Sequence, residues 1–403
     1  MLAVSIGQAI YVALFARAMN MASTCEILNE PNLPAAAIIL CVRGNDPTLQ
    51  NCLTAIANLD YPEFDLHIMV DHESDSAMPV VRQFADQNNA HIHVLSDPLK
   101  TCSLKCNSLI QAFDRVGSKA QILAFLDADT VPHPQWLKCL ASHLAVEGMG
   151  LVSGIRCFTP SASNAGSLIR HQWNSAATVQ MFLYRIPWGG TLAMHSSLVE
   201  KLELKTKWSR AFCEDTMMAD LLTKHNLKVC IALSLVLPNH ESCQIADFIN
   251  WVSRQLLTTK LYHSAWPLII AHATITTFAW LAPVITLIVA MALGNSTSAL
   301  WSIATLCGFQ IANWLMLVSN QSCVQNQLAK TGASKDWLTL KKKLKLFALM
   351  PVTQCVYFIA VVKTISTRTV SWRKIDYQIN GPFEIERLNY IAYSKSNEGS
   401  QSL

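Results

Sequence analysis

Residues 121–134 read QILAFLDADTVPHP, an apolar run that ends abruptly in Asp127-Ala128-Asp129. If residues 122–126 form a buried strand, side chains alternate between its faces, so Asp127 and Asp129 project to the same side. Two carboxylates that share one site repel each other at neutral pH, and a raised pKa or a bound cation relieves that repulsion. The stretch therefore predicts a functional site at the end of a strand, with an ordinary turn begun by Asp as the alternative.

The ligands available at this position indicate the kind of cation. Carboxylate oxygens suit a hard divalent ion, Mg2+ or Mn2+, and no His or Cys stands at the spacing that zinc would require. Asp129 and Asp127 are therefore the predicted metal ligands.

The composition indicates a water-facing domain combined with a few membrane helices. Of 403 residues, 51% are hydrophobic and 14% are charged, which is too apolar for an ordinary soluble enzyme and too mixed for an all-membrane transporter. The net charge of +4 is small, so nothing favours nucleic acid as a partner. The 13 cysteines stand singly, without redox or zinc spacing, which indicates reduced thiols and a domain that faces the cytoplasm.

Around the opening stretch, short apolar runs alternate with segments of helical periodicity. Strands are predicted at 35–42, 66–70, 91–95 and 122–126, and helices at 49–58, 80–87 and 104–114. This alternation implies crossover connections and a Rossmann-like α/β domain with a mostly parallel sheet. Ligands bind such sheets beyond the carboxyl ends of the strands, where Asp46, Asp71, Asp127 and Asp129 all fall.

The second half of this domain adds another acidic pair. Residues 148–154 predict a further strand, and Glu214-Asp215 precedes an amphipathic run at 217–225. The N-terminus of a helix favours negative charge. Asp215 is therefore either a functional acid or a helix cap.

Segments that contact the membrane are predicted before and after the domain in the sequence. The apolar run 2–16 falls short of the roughly 20 residues that cross a bilayer as a helix, so it predicts a tilted anchor or an interfacial helix. The amphipathic segment before the first long apolar stretch predicts a helix in the membrane interface, with a surface helix as the alternative. The predicted divisions are an anchor, the catalytic domain, the interfacial helix, the transmembrane region and a polar tail, at 1–20, 32–245, 246–265, 266–375 and 376–403.

The count of membrane spans stays at three or four. The apolar stretches after the domain are 267–293, 300–318 and 347–362. Lysines before the last stretch and arginines after it both indicate a cytoplasmic side. Because one crossing cannot leave both in the cytoplasm, the last stretch is predicted to be re-entrant or to lie along the surface.

Six short motifs follow one another along the chain. They are Arg43-Gly44-Asn45-Asp46-Pro47, Leu59-Asp60-Tyr61-Pro62, Lys105 with Asn107, Asp127-Ala128-Asp129, Glu214-Asp215, and Ser371-Trp372-Arg373 followed by Tyr377. In this order they resemble the family 2 nucleotide-sugar glycosyltransferases, most closely the ceramide glucosyltransferase branch. The resemblance covers nearly the whole chain and implies a catalytic domain of the GT-A type.

One signature departs from that family. Its membrane-proximal motif is Gln or Arg, two residues, then Arg-Trp, whereas residues 255–259 read QLLTT, so Gln255 is kept and two threonines replace Arg-Trp. The resemblance implies that the missing Trp forms part of the acceptor site and that the missing Arg helps to hold the diphosphate. Arg254 and Lys260 are the candidate substitutes for that charge.

The resemblance also implies a role for each candidate residue. Asp129 would hold the cation, with Asp127 closer to the ribose, and Asp215 would be the general base, with Glu214 as its neighbour and substitute. The residues implied to bind the substrate are Asp46, Asp71, Lys105, Asp127, Gln255 and Arg254. For the two acids nearest the N-terminus the alternative is a turn, and for the lysine it is a solvated helix face.

These features predict an integral membrane protein whose catalytic domain faces the cytoplasm. It would transfer a hexose, with glucose as the first candidate, from a UDP-sugar to the hydroxyl of a ceramide-, diacylglycerol- or similar lipid, with inversion at the anomeric carbon. A lipid hydroxyl lies at headgroup depth, beside the interfacial helix. The alternatives are a processive polysaccharide synthase, which the missing Arg-Trp disfavours, and a non-catalytic membrane protein that binds sugar nucleotides.

Overall fold

The structure is a computed structural model that describes residues 1–22, 32–332 and 337–393. Its helices are α1 Leu2–Met21, α2 Leu49–Ala57, α3 Met78–Ala85, α4 Leu104–Phe113, α5 Trp136–Leu144, α6 Ala165–Tyr184, α7 Leu198–Lys201, α8 Leu204–Trp208, α9 Met218–Lys224, α10 Ile245–Tyr262, α11 Trp266–Ala292, α12 Ser296–Lys330 and α13 Leu340–Ser366. Its strands are β1 Ala36–Val42, β2 Phe64–Val70, β3 Ala90–Val94, β4 Ile122–Asp127, β5 Met149–Phe158, β6 Thr191–His195, β7 Lys228–Asn239, β8 Thr369–Trp372, β9 Ile375–Gly381 and β10 Glu384–Arg387. The predicted polar tail, 376–403, lies outside the described residues from 394 onward.

The central sheet has seven strands in the order β3-β2-β1-β4-β6-β5-β7. Strand β6 pairs antiparallel with both of its neighbours, and the other pairings are parallel. The predicted α/β class with a mostly parallel sheet is therefore confirmed. Because β1, β2 and β4 are parallel neighbours, their carboxyl ends meet at one edge, and this edge receives the acidic residues.

Side chains of β1 alternate between two apolar layers. Ile38 packs in the layer that contains Leu53 of α2, while Ile39 packs in the opposite layer with Leu109 of α4. All of these side chains are essentially buried. Helices thus cover both faces of the sheet, which explains why the strands read as nearly continuous apolar runs.

Within the part of the chain that the structure describes, four helices are long and apolar enough to cross a membrane, namely α1, α11, α12 and α13. Helix α1 is longer than its apolar run suggests, because it continues for 20 residues to Met21. Its last turns are held by protein contacts, since Phe15 and Met19 are buried and the side-chain amide of Gln327 donates to the Met19 carbonyl at 2.8 Å.

Helix α10 occupies the segment predicted as interfacial. Its large apolar side chains, including Phe248, Trp251 and Leu256, are buried against other parts of the protein. Aromatic contacts join this surface to Trp173 of α6. The apolar face of α10 is thus covered by protein, and contact of this helix with a membrane interface stays a prediction.

Both ends of α13 contact the α/β domain or the helix that adjoins it. At its start, Lys342 Nζ donates to the Pro160 carbonyl at 2.9 Å, in the loop after β5. Near its end, Lys363 Nζ donates to Asn250 Oδ1 of α10 at 2.6 Å. Both ends of α13 are thus held by protein contacts, and the re-entrant or surface course of the last apolar stretch stays a prediction.

The C-terminal segment differs from the predicted polar tail. Strands β8, β9 and β10 form a three-stranded antiparallel sheet. Ile375, Tyr377 and Ile379 alternate toward the protein and are buried. This period of two is the pattern of a half-buried strand, so the described residues after 375 are ordered by packing on the α/β domain.

Candidate active site

A cavity of about 430 Å³ lies beyond the carboxyl ends of β1, β2 and β4. The structure brings all nine predicted site residues to its lining: Asp46, Asp71, Lys105, Asp127, Asp129, Glu214, Asp215, Arg254 and Gln255. They come from loops and helices that are far apart in the sequence. What unites them is the edge where the parallel strands end.

Asp127 and Asp129 share the cavity with two cations. Lys105 Nζ lies 2.6 Å from Asp127 Oδ1, and the Arg156 guanidinium lies 3.6 Å from Asp127 Oδ2 and 3.3 Å from Asp129 Oδ2. Burial acts to raise the pKa of Asp127, but Lys105 and Arg156 outweigh it and hold this pKa below its ordinary value. Burial raises the pKa of Asp129, and the charge of Asp127 adds to that effect.

Glu214 is a partner of Lys105 rather than a free base. Its side chain is only 2% exposed, and Oε1 lies 2.7 Å from Lys105 Nζ. Burial raises the pKa of Glu214 to about 7 against the pull of Lys105. Lys105 in turn has a pKa well above its ordinary value, because the attraction of Asp127 and Glu214 outweighs burial. The lysine thus links the two acidic motifs through salt bridges.

Asp215 is oriented by backbone donors. The Gly189 N–H donates to Oδ2 at 2.7 Å, and the Thr216 N–H and hydroxyl lie 2.6 and 3.0 Å from Oδ1. The side chain is half-buried at the cavity wall. It combines a fixed orientation with access to the cavity, which is what a general base requires.

The turn at residues 187–190 joins the two acidic motifs. A Cβ on Gly189 would strike Glu214 Oε1, and a Cβ on Gly190 would strike the Trp188 ring and approach Asp127 Oδ2. Glycine is therefore required at both positions for close approach rather than for an unusual φ. The turn is visible in the sequence, but its contact with the carboxylates is not.

The QLLTT segment, residues 255–259, lies at the same cavity. Arg254 places its guanidinium 4.7 Å from the centroid of the Trp372 ring, and burial followed by repulsion from Arg373 lowers the pKa of Arg254 to about 9. Lys260 instead donates to the Thr364 and Ile365 carbonyls at the end of α13. Of the two substitutes considered for the missing Arg, only Arg254 lines the cavity.

The first threonine of that segment, Thr258, also takes part in the site. Its hydroxyl lies 3.2 Å from the hydroxyl of Thr216, which contacts Asp215. The residue that stands where the family has Arg is therefore connected to the predicted base by hydroxyl groups.

Several contacts of the site are not visible in local sequence signals. Arg156 stands two residues beyond the predicted end of β5, which continues to Phe158. Arg43 pairs with Asp71, and the Tyr390 hydroxyl donates to Asp71 Oδ1 at 3.0 Å. Asp46 accepts from the Thr48 N–H at 2.9 Å, which is the turn considered for it, and also pairs with an arginine of the C-terminal segment.

The cavity continues away from the sheet into the apolar helices. The lining there comes from α1, α6, α11, α12 and α13 and includes Tyr11, Trp173, Ala176, Trp280, Asn313, Met316, Leu317, Met350 and Tyr357. Aromatic, amide and aliphatic side chains dominate this part. One cavity thus connects the carboxylates to the helices that are apolar enough to span a membrane.

The donor set fits a hard divalent cation. Asp127 and Asp129 present carboxylate oxygens to the cavity, and Mg2+ is commonly held by one or two carboxylates together with water and substrate phosphates. Among residues 1–22, 32–332 and 337–393, no group of three or more His, Cys, Asp or Glu side chains is arranged to hold a metal. The two aspartates would therefore share the ion with oxygen ligands from outside the chain.

Comparison with known proteins gives relatives of low identity. Glycosyltransferase AglE of Haloferax volcanii is 28% identical over 152 residues, which are 37% of this chain and 47% of AglE, so the match spans about half of that relative. The mannosyltransferase PcManGT from Pyrobaculum calidifontis, solved with GDP-Man and Mn2+, is 16% identical, has a TM-score of 0.48, and the alignment covers 91% of this chain and 97% of PcManGT. Glucosyl-3-phosphoglycerate synthase from Mycobacterium tuberculosis, solved with Mn2+, UDP and glucosyl-3-phosphoglycerate, is 14% identical with a TM-score of 0.37, covering 59% of this chain and 82% of the synthase.

A family model gives the most extensive match. The model described as Glycosyl transferase family 21 matches residues 1–382. This match confirms the predicted resemblance to the ceramide glucosyltransferase branch.

Proposed function

This chain belongs to glycosyl transferase family 21, and from that premise we propose a membrane-bound, inverting hexosyltransferase that uses a UDP-sugar and a lipid acceptor. Glucose is the first hexose to test, and ceramide-, diacylglycerol- and similar lipids are the acceptor classes. The observation that carries the proposal is the single cavity, because it joins a carboxylate-rich end at the sheet to an uncharged end between long apolar helices.

Cations at the sheet end address the first barrier of such a transfer, the negative charge that accumulates on the departing diphosphate. Lys105, Arg156 and Arg254 all line this end. Fixed charges in a partly dry site stabilise developing charge without having to reorganise during the reaction. A divalent ion held by Asp129 and Asp127 would, when bound, supply further positive charge to the diphosphate.

Asp215 addresses the second barrier, the weak nucleophilicity of an alcohol. We assign it as the base that removes the proton of the acceptor hydroxyl, a role typically worth 10²- to 10⁴-fold in rate. Glu214 is assigned to holding Lys105, because its side chain is buried and salt-bridged. A single displacement by the acceptor oxygen inverts the anomeric carbon.

The uncharged end of the cavity supports a lipid rather than a soluble acceptor. Trp280, Met316 and Met350 lie on helices that are apolar enough to span a bilayer. A lipid could place its hydroxyl near Asp215 while its chains remain beside these helices. A soluble acceptor would leave the aromatic and aliphatic side chains of this lining without a partner.

We place the catalytic domain in the cytoplasm. If α1, α11 and α12 cross the bilayer and α13 does not, the domain, the lysine-rich start of α13 and the C-terminal segment all lie on one side. The contacts of both α13 ends with the domain and α10 support this arrangement. The positive-inside rule then assigns that side to the cytoplasm.

Membranes that contain the full chain, incubated with labelled UDP-glucose or UDP-galactose, test the proposal. We expect a lipid that carries one labelled hexose of inverted configuration, identified by mass spectrometry and nuclear magnetic resonance. Chelation of divalent ions should abolish the transfer, and Mg2+ or Mn2+ should restore it.

Other products would contradict specific parts of the proposal. A labelled polymer would favour the processive synthase, and a retained anomer would exclude the single displacement. Binding of UDP without transfer to any lipid in the extract would favour the non-catalytic alternative.

A further inference from the structure

The hairpin tip between β8 and β9 has no role in the scheme above. Trp372 pairs with Ile375, so Arg373 and Lys374 form a two-residue turn, and both have positive φ, 50° and 63°. Such turns usually contain Asn-Gly or another pair that adopts positive φ readily. Arg and Lys adopt positive φ less readily than Asn or Gly, so this turn has an unfavourable backbone conformation. Such conformations cluster at functional sites.

Three contacts fix the tip against the catalytic domain. Arg43 Nε donates to the Arg373 carbonyl at 3.1 Å, and the Tyr377 hydroxyl accepts the Leu104 N–H at 3.2 Å, next to Lys105. The Trp372 ring packs edge-on against Phe212. The turn is therefore held at a defined place in the cavity wall, where Trp372 and Arg373 are lining residues.

Arg373 enters the part of the cavity that contains the acidic motifs. Its Nη2 lies 3.2 Å from Asp46 Oδ2, and the Asp46 side chain is 1% exposed while that of Arg373 is 22% exposed. Its charge also acts on Asp127 and Asp129. A guanidinium has five N–H donors, so Arg373 can keep its contact with Asp46 and donate to a further anion.

Arg254 lines the same end of the cavity as Arg373. Its guanidinium stacks on Trp372, and within the described residues it forms no salt bridge with a carboxylate. Arg373 lies close enough to repel it. Two mutually repelling arginines in the lining at the sheet end of the cavity favour a ligand with more than one negative charge.

We propose that Arg373 is a substrate-binding residue that, together with Arg254, binds the diphosphate of the nucleotide donor. This inference rests on the proposed function and identifies the cations that replace the arginine missing from the QLLTT segment. One comes from α10 itself, and the other comes from a hairpin that follows the last long helix.

The competing role for Arg373 is to position Asp46 alone, and nucleotide fragments separate the two roles. A diphosphate contact affects UDP and not uridine. A shift of the Asp46 loop, which also carries Arg43, the partner of Asp71, should affect both. The affinity ratio of uridine to UDP therefore measures the diphosphate contact directly.

The experiment uses the full chain in lipid nanodiscs and measures binding of UDP, GDP and the matching nucleosides by calorimetry. We expect Arg373→Gln to weaken binding of the preferred nucleoside diphosphate about tenfold or more and to leave the nucleoside within about twofold. Arg373→Lys should weaken nucleoside diphosphate binding less than Arg373→Gln does, because lysine keeps the positive charge but lacks the paired N–H donors of the guanidinium. Lys374→Gln is the matched control in the same turn, since Lys374 lies over the Tyr393 ring and outside the cavity lining.

Folding is checked by size-exclusion chromatography and thermal unfolding. If Arg373→Gln does not fold, Asp46→Asn/Arg373→Gln is compared with Asp46→Asn alone, because the pair then leaves no buried carboxylate unpaired. Equal losses for UDP and uridine, or a diphosphate affinity within twofold of wild type, would overturn the inference and leave the proposed function intact. A wild-type protein that binds neither nucleoside diphosphate would overturn both.

Discussion

The two ends of the cavity offer different chemistry to a ligand. At the sheet end, carboxylates and cations alternate at hydrogen-bonding distance, as where Lys105 lies 2.6 Å from Asp127 and 2.7 Å from Glu214. At the other end, the described lining residues from α1, α6, α11, α12 and α13 include no Asp, Glu, Lys or Arg. The ligands that together fill this cavity must therefore be highly charged at the sheet end and uncharged at the other end.

This contrast shows how the cavity could serve the proposed function. In that proposal, the nucleotide diphosphate occupies the charged end and the lipid occupies the end between the helices. Asp215 lines the wall of the shared cavity and presents a carboxylate that backbone donors hold in place. Substitutions at each end should therefore separate donor binding, acceptor binding and transfer.

The largest effect on activity is expected at Asp215, the proposed general base. Asp215→Asn keeps the shape of the side chain but cannot accept a proton, so we expect kcat to fall by roughly 10²- to 10⁴-fold. The affinity for UDP should change by less than about twofold. Turnover of labelled UDP-sugar and calorimetric binding of UDP measure the two quantities.

Asp114→Asn is the matched control, because the Asp114 side chain is 61% exposed and forms a surface ion pair with Lys205. It should leave both kcat and UDP affinity unchanged. Transfer by Asp215→Asn at the wild-type rate would exclude Asp215 as the base and shift the assignment to another residue of the cavity.

The contrast between the two ends also separates what the sequence predicts from what it does not. The acids at strand ends are predictable, because local periodicity locates each strand end and parallel strands end at one edge. Arg373 is not predictable as a site residue, since its partner Asp46 is 327 positions away. No local sequence pattern indicates a contact between residues so far apart, although Ser371-Trp372-Arg373 is one of the motifs shared with the family.

The same reasoning explains why the sequence predicts the existence of β5 but not its end. The predicted strand at 148–154 misses Arg156 because the bulged pairing of β5 with β7 extends the strand to Phe158. Packing against a distant strand decides that extension. The roles assigned to individual site residues stay predictions, because they depend on ligands that only experiment can supply.

A smaller effect is expected at the uncharged end. Ala176 on α6 is exposed to the cavity, so Ala176→Trp should obstruct acceptor binding and raise KM for the lipid about tenfold. UDP affinity should stay within about twofold, because the charged end is untouched. Initial rates over a range of lipid concentrations, alongside UDP calorimetry, measure the difference.

Ala292→Trp is the control for added bulk, because Ala292 is exposed near the end of α11 and lies outside the cavity lining. It should leave KM for the lipid at the wild-type value. If Ala176→Trp weakened UDP binding as strongly as it raised KM for the lipid, the division of the cavity into two functional ends would be wrong.

The smallest expected effect concerns stability and tests the charged end directly. Burial raises the pKa of Glu214 from 4.5 to about 7, so the folded protein favours its protonated form. The stabilisation from that proton is complete below pH 4.5 and is lost as the pH rises through about 7. Glu214→Gln mimics the protonated acid at every pH. Its Tm should therefore rise relative to wild type between about pH 5 and pH 8, by roughly 2–4 °C.

Thermal unfolding of both proteins in one detergent measures this difference, and Glu200→Gln, at an exposed position of α7, is the control that should show no such trend. The sign matters more than the size, because Lys105 attracts the Glu214 carboxylate and opposes burial. If the Tm of Glu214→Gln fell relative to wild type as the pH rose, the salt bridge to Lys105 would outweigh burial. Glu214 would then be a carboxylate salt-bridged to Lys105 at neutral pH, and the expectation that the folded protein favours its protonated form would be wrong.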